Sequence, residues 1–256
     1  MLGAIAGDII GSVYEHHNVK TEDFPLFSER STFTDDTVLT VATAETLLYG
    51  GEYDAKYRIY YQLYPDRGYG GSFRLWARAL DAGPYGSFGN GSAMRVSPVG
   101  YVYDDREMVL DEAERSAEVT HNHEEGIRGA QAVATSVLMA RQGAGKRAIM
   151  DYVEKRFGYN LKDTIENLRP RYRFDVTCQG SVPQAIIAFL ESGDYEDAIR
   201  KAVSLGGDSD TIACITGGIA GAYYGGVPND IADRALSLLD ERLKGIVLEF
   251  QEAYGP

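Results

Sequence analysis

Cysteine is scarce in this chain: Cys178 and Cys214 are far apart in 256 residues and show no metal-type spacing. A disulfide framework and a cysteine-based zinc site are thereby excluded, and both thiols are expected to behave as small buried hydrophobes in a reducing compartment. Positive charge is also in short supply. There are 25 basic against 38 acidic residues, a formal net charge of −13, which argues against nucleic-acid binding by phosphate neutralisation. Long apolar runs are missing: residues 212–224 form the longest, too short and too glycine-rich for a membrane span. Residues 1–13 are apolar but lack a basic leader and carry Asp8, so no signal peptide is expected and the chain reads as cytoplasmic. Linkers rich in proline and serine, low-complexity tracts and internal repeats are absent. With 44% apolar residues, one domain spanning 1–256 with a sizeable core is expected.

What is present is helical periodicity. Ile5, Ile9 and Val13, with Ala6 and Ile10, form an apolar arc at 3.6-residue spacing, and Asp8, Ser12 and Glu15 share the neighbouring polar stripe. Further helices are predicted over residues 37–48, 107–119 and 124–141. Others follow from Pro183 to about 193, over 195–205 before the Gly206-Gly207 pair, over 211–224, and over 230–253. The segment 211–224 is apolar nearly all round, which marks a buried helix. Strand signals are sparse, and residues 67–73 and 83–95 read as glycine-rich loops. The expected fold class is all-α.

Two acidic clusters stand out, Thr34-Asp35-Asp36-Thr37 and Asp208-Ser209-Asp210-Thr211, each in front of an apolar helical segment. Capping alone explains one such cluster, since Asp and Thr favour N-caps and first turns. For the second, a helix starting before Asp208 would point Asp210 away from Asp208 and Thr211. With Asp208 at the cap and an irregular turn, all three oxygens can converge. An all-oxygen set from two such turns suits a hard cation (Mg²⁺, Mn²⁺ or Ca²⁺) rather than zinc, and without one the converging oxygens would repel strongly.

The segment Gly86-Ser87-Phe88-Gly89-Asn90-Gly91-Ser92-Ala93-Met94-Arg95 is a third feature. Its glycines permit positive φ and close approach, so its N–H groups could cradle a diphosphate, with Phe88 as a stacking face and Arg95 opening a further helical stretch. Gly68-Tyr69-Gly70-Gly71-Ser72 is a weaker candidate of the same kind. His121 and His123 fall at a break between helices. Two apart, they do not form a metal pair, and one of them contacting a ligand is the better expectation.

Taken in order, these pieces resemble the ADP-ribosylglycohydrolase family, which includes the dinitrogenase-reductase-activating glycohydrolases and the eukaryotic ADP-ribosylhydrolases. The resemblance runs from Gly3-Ala4-Ile5-Ala6-Gly7-Asp8 and Gly11 to Glu15, through Phe33-Thr34-Asp35-Asp36-Thr37, to Gly89-Asn90-Gly91-Ser92-Ala93-Met94-Arg95. It continues with Thr120-His121, Gly126 and Gly129-Ala130, and ends with residues 205–213, Gly217 and Gly221.

The resemblance implies an all-α fold with a dinuclear Mg²⁺ or Mn²⁺ site. It implies metal ligands at Thr34, Asp35, Asp36, Asp208, Asp210 and Thr211, and a gating and acid–base glutamate at Glu15. Catalytic weight then falls on Glu15, Asp36 and Asp210. It also implies ligand contacts from Gly86, Ser87, Phe88, Gly89, Asn90, Gly91 and His121. Gly70, Gly71 and Met94 are further substrate-binding candidates, and Tyr85, which no motif fixes, is the candidate adenine-stacking ring. One position departs from members that act on ADP-ribosyl-arginine. They carry an aspartate three residues before the loop asparagine, where this chain has Ser87, an arrangement closer to the branch that acts on serine-linked ADP-ribose. The partner implied is an ADP-ribosylated protein or a small ADP-ribose conjugate. The expected reaction is hydrolysis at the anomeric carbon of the distal ribose. Two rivals are a silent ADP-ribose- or nucleotide-binding protein and another dinuclear metallohydrolase that cleaves the diphosphate.

Overall fold

A computed structural model describes residues 1–255. In chain order the helices are α1 (Leu2–Gly11), α2 (Asp35–Tyr49), α3 (Tyr53–Leu63), α4 (Gly71–Arg78), α5 (Gly91–Met94), α6 (Val99–Val102), α7 (Arg106–Glu118) and α8 (Glu124–Arg141). There follow α9 (Lys146–Phe157), α10 (Ile165–Leu168), α11 (Cys178–Glu191), α12 (Tyr195–Ser204), α13 (Ser209–Tyr223), α14 (Asn229–Ser237) and α15 (Glu241–Tyr254). No β-strand occurs among the described residues; Gly89 and Thr177 form an isolated antiparallel bridge. The all-α expectation holds. No helix among the described residues is long and apolar enough to cross a membrane.

Helix α13 lies at the centre, packed against α1, α2, α5, α8, α11 and α12, and it is buried from Ser209 to Ala222. Small residues make this possible. Gly3, Gly7 and Gly11 recur every fourth position along α1 and face α13, so the two backbones meet with no side chain between them. A Cβ built on Gly3 would lie 2.2 Å from the Gly217 carbonyl oxygen, one on Gly7 2.1 Å from the Ala213 carbonyl oxygen, and one on Gly11 2.5 Å from Asp210 Cα. Every residue of α1 is consequently buried, so the helix is not the half-exposed amphipathic element that its apolar arc suggests.

Several boundaries differ from the sequence reading. Helix α1 stops at Gly11, where Ser12 Oγ donates to the Ile9 carbonyl at 2.9 Å and Tyr14 turns aside to donate to the Pro25 carbonyl at 2.6 Å. Glu15 therefore sits in the turn beyond the helix, not at its end. Helix α4 begins inside the supposed loop at Gly71, and α5 ends before Arg95 instead of starting there. Helix α11 starts at Cys178 under a Thr177 cap, with Pro183 inside it. The segment 230–253 is broken between α14 and α15, where the Asp240 side chain accepts from Leu243 N and starts a new helix. Helices α3 and α9 carry no aliphatic periodicity that announces them. The first buries tyrosines and Arg58 in place of aliphatics; the second buries only Ile149, Val153 and Phe157.

The contact between α1 and α13 yields a paired test. Gly7→Ala drives a methyl into backbone and is expected to lower stability by about 2 kcal/mol or more. Gly245→Ala, in a helix position where nothing lies within 4 Å of the new Cβ, should raise it by up to about 1 kcal/mol. Urea unfolding of both variants checks this, and equal effects of the two would refute the tight contact.

Candidate active site

The N-termini of α2 and α13 face each other across the C-terminal half of α1. Asp8, on α1, is fully buried and accepts four hydrogen bonds from the start of α2. These come from Thr34 N (3.0 Å), Thr34 Oγ1 (2.7 Å), Thr37 N (3.1 Å) and Thr37 Oγ1. Asp8 thus fixes α2 against α1 while the glycine contacts fix α13. Asp36, Asp208, Asp210 and Thr211 are all buried at this junction. Thr211 Oγ1 donates to Asp36 Oδ2 at 3.3 Å, joining the two acidic turns directly. Asp208 occupies the N-cap of α13 with an irregular backbone (φ −78°, ψ 70°) and makes no capping bond. Its Oδ2 instead accepts from Asn90 Nδ2 at 2.7 Å. Thr34 does cap α2, accepting from Asp36 N.

Two groups of carboxylates result, Asp8 with Asp36 and Asp210, and Glu15 with Asp208 and Asp210. In each, one oxygen per residue lies within 4.8 Å of the others. Asp210 belongs to both. Burial and then carboxylate neighbours push Asp35, Asp36 and Asp210 well above the usual carboxylate range. Asp8, Asp208 and Glu15 are raised as well, chiefly by burial. The partial positive charge at two helix N-termini offsets only part of this repulsion. Asp36 Oδ1 is buried with no hydrogen-bond partner. An all-oxygen donor set, a shared carboxylate and an orphaned carboxylate oxygen fit one or two divalent hard cations.

These groups form one end of a cavity of about 440 Å³. Of the sequence-predicted residues, Glu15, Thr34, Asp35, Asp36, Asp208, Asp210 and Thr211 line it, as do Gly70, Gly71, Tyr85, Ser87, Gly89, Asn90, Gly91, Met94 and His121. Asp35 stands on the wall beside Gly68 but in neither tight group. Gly86 and Phe88 are not on the wall. Phe88 is 46% exposed and packs 5.3 Å from the His123 ring instead. His123 caps α8, accepting from Glu125 N, whereas His121 points into the cavity, so the two do face apart.

The glycine loop is built differently from a phosphate cradle. Only Gly86 among its glycines has positive φ (67°). Most of its N–H groups are already used. Gly86 N donates to Asn122 Oδ1, Ser87 N to the Thr120 carbonyl, Gly89 N to Ser87 Oγ and Asn90 N to the Val176 carbonyl. Gly89 and Gly91 are small because Ser87 Oγ, the Val176 carbonyl and His121 Nε2 would meet a side chain there at 3.1–3.3 Å. The wall also includes residues not among the expected ligand contacts: Leu39, Phe73, Arg95, and the exposed pair Phe174 and Val176. Asp8, placed by the sequence only on a polar stripe of α1, also belongs to a carboxylate group. The signal that could have found it is an aspartate inside a helix otherwise made of apolar and small residues. Nothing periodic marks Phe174 and Val176.

Beyond the cavity, Asn18 clasps the Glu15 turn to the glycine pair before Asp208. Its Nδ2 donates to the Tyr14, Glu15 and Gly207 carbonyls, and Gly207 N donates to its Oδ1 at 2.8 Å.

Comparison with known proteins agrees with this architecture. The ADP-ribosylglycohydrolase family model matches residues 1–254. ADP-ribosylhydrolase ARH3 of Homo sapiens is 28% identical over 305 residues, covering 88% of this chain and 84% of the human protein. ADP-ribosylarginine hydrolase Tri1 of Pseudomonas putida (strain GB-1) is 24% identical over 270 residues, covering 91% and 72%. A solved structure described as an ADP-ribosylglycohydrolase-related protein complex superposes with a TM-score of 0.74 at 27% identity, covering 98% of this chain and 96% of that one. By sequence along its whole length and by fold, this chain belongs to the ADP-ribosylglycohydrolase family of hydrolases.

Proposed function

We propose that the chain hydrolyses the glycosidic bond between the distal ribose of ADP-ribose and a modified target, a protein side chain or a small conjugate, with Mg²⁺ or Mn²⁺ in the paired carboxylate groups. The observation that carries this reading is Asp210, which serves both groups at the end of a cavity large enough for a nucleotide-sized ligand. Asp8, Asp36 and Asp210 would hold one cation and Glu15, Asp208 and Asp210 the other, with Thr34, Asp35 and Thr211 contributing oxygens from the same wall. Bound cations would neutralise the buried carboxylates and supply Lewis acidity toward hydroxyl oxygens and water.

The chain's own residues divide the remaining work. Asn90 orients Asp208, and Thr211 and Asp8 orient Asp36 and the start of α2. Glu15 is half-buried at the cavity edge, and its carboxylate has no hydrogen-bond partner among the described residues. The nearest cation-capable group is His16 Nε2 at 3.7 Å. Lying at the cavity edge with no hydrogen bond to hold it, Glu15 is the member of its carboxylate group able to leave a cation and exchange a proton with a ligand, as the acid–base group of a glycosidase does. Ser87 lines the cavity with its hydroxyl accepting from Gly89 N, so at that position the loop offers a neutral hydroxyl and no carboxylate for a guanidinium. This favours O-linked over arginine-linked ADP-ribose.

Three expected results follow. Asp210→Asn should abolish release of free ADP-ribose with the fold intact by circular dichroism; normal turnover would remove the paired-cation reading. Glu15→Gln should keep ADP-ribose binding but slow turnover about a hundredfold or more, and an unchanged rate would exclude Glu15 from proton transfer. Across ADP-ribosyl-serine, ADP-ribosyl-arginine and O-acetyl-ADP-ribose, the O-linked substrates should be cleaved faster.

The fourth concerns stability and pH. Carboxyls raised above their unfolded values near 4 stabilise the metal-free protein below that pH. They lose that contribution as pH rises through the raised folded values. Adding Mn²⁺ should therefore raise the melting temperature more at pH 8 than at pH 5. A shift of equal size at both, or none, would count against cation binding by these carboxyls.

A further inference from the structure

Among the described residues, Arg95 is the largest side chain with no exposed surface; it belongs to the cavity wall and has no carboxylate paired with it. Its Nη2 donates to the Ser116 carbonyl and to Thr120 Oγ1, both at 2.8 Å. Its Nε and Nη1 have no hydrogen-bond partner among the described residues, and its guanidinium carbon stands 4.1 Å from the centre of the buried Tyr57 ring. Burying a cation on a carbonyl, a hydroxyl and a ring face is costly compared with an aliphatic core. Thr120 is the side-chain oxygen that accepts a hydrogen bond from it.

Thr120 Oγ1 also lies 2.7 Å from His121 Nδ1. Arginine has only N–H groups to offer, so the threonine oxygen must accept from it. The single hydroxyl proton is then left for one of two acceptors, His121 Nδ1 at 2.7 Å or the Ala117 carbonyl at 3.4 Å. The first is an ordinary hydrogen bond and the second is too long to compete. With Nδ1 accepting, a neutral ring carries its proton on Nε2. That nitrogen faces the cavity at the glycine bend, 3.1 Å from where a Cβ of Gly91 would lie. Burial, with the nearby Arg95 charge, holds His121 well below the ordinary imidazole range, so the ring is neutral at physiological pH.

We propose that Arg95 and Thr120 act as a relay of positioning residues that locks His121 in its Nε2–H tautomer, so that the ring offers a hydrogen-bond donor to an oxygen of the ligand. An Nδ1–H ring in the same place would turn a bare acceptor toward a phosphate or hydroxyl oxygen, which repels the former and reverses the bond to the latter. That the oxygen belongs to an ADP-ribosyl group rests on the function proposed above; the tautomer does not.

Removing Arg95 would empty a fully buried position, so the test acts on Thr120. In uniformly ¹⁵N-labelled protein without ligand, long-range ¹H–¹⁵N correlations of the four histidine rings, assigned by loss of one set in His121→Asn, read the tautomer at neutral pH. The wild type and Thr120→Ser should show His121 with a protonated Nε2 and an unprotonated Nδ1. Thr120→Val, matched in shape but without the hydroxyl, should show a mixture, with kcat/KM on an ADP-ribosyl conjugate about tenfold lower and restored by Thr120→Ser. A wild-type ring protonated on Nδ1 would overturn the relay. So would a Thr120→Val protein that melts lower yet keeps the wild-type tautomer, since a merely structural threonine moves stability and leaves the ring proton in place. If the tautomer behaves as expected while no ADP-ribosyl conjugate is turned over, the relay stands and the substrate reading falls.

Discussion

The backbone of α1 lying directly on the backbone of α13 is the constraint from which the site follows. Helices with ordinary side chains between them pack 8–10 Å apart; here the glycines at positions 3, 7 and 11 of α1 remove that spacer on one side, and Ala213 and Gly217 reduce it on the other. The contact ends at Gly11 against Asp210, which is where the carboxylates begin. Asp8 then ties the same helix to α2 through Thr34 and Thr37. Three elements distant in sequence are thus brought to one point by close packing and by hydrogen bonds to a single aspartate.

The resulting cluster is electrostatically unfavourable by itself. Desolvation and mutual repulsion both oppose ionisation of Asp35, Asp36 and Asp210, and the orphaned oxygen of Asp36 adds the cost of an unsatisfied buried acceptor. Such an arrangement is retained only where packing elsewhere is strong enough to hold it, and the apolar surroundings of α13 supply that strength. Binding sites are commonly built this way, with the strain carried by the scaffold.

Much of this was legible in the sequence, for physical reasons that can be named. Thr34-Asp35-Asp36 and Asp208-Ser209-Asp210-Thr211 are dense in oxygen donors and sit before apolar helices, so their place in the fold could be anticipated, whereas their convergence on each other was implied only by the family resemblance. The irregular backbone at Asp208 could be anticipated too, because a regular helix would have turned Asp210 away. Other features carried no such mark. Glu15 looked helical because its spacing from Asp8 and Ser12 suits a helix, yet Ser12 and Tyr14 draw the chain out of it. Arg95 looked like the start of a further helix, since no local pattern announces burial of a cation against Tyr57. Phe88 looked like a ligand platform and Phe174 like nothing at all, because which loop residue faces inward is decided by pairing between residues 86–91 and 174–178, a contact across some ninety positions.

That pairing has a consequence for how quickly the cavity can be filled. The loop from Gly86 to Asn90 is fastened to Thr120, Asn122, Val176 and Cys178 by its own main chain. A visiting molecule therefore meets a wall that already has its shape. Little configurational entropy remains to be surrendered on arrival, so more of the contact energy appears as affinity. Encounter should then be governed by diffusion to the cavity, whose wall includes the exposed Phe174 and Val176, and not by waiting for a loop to fold.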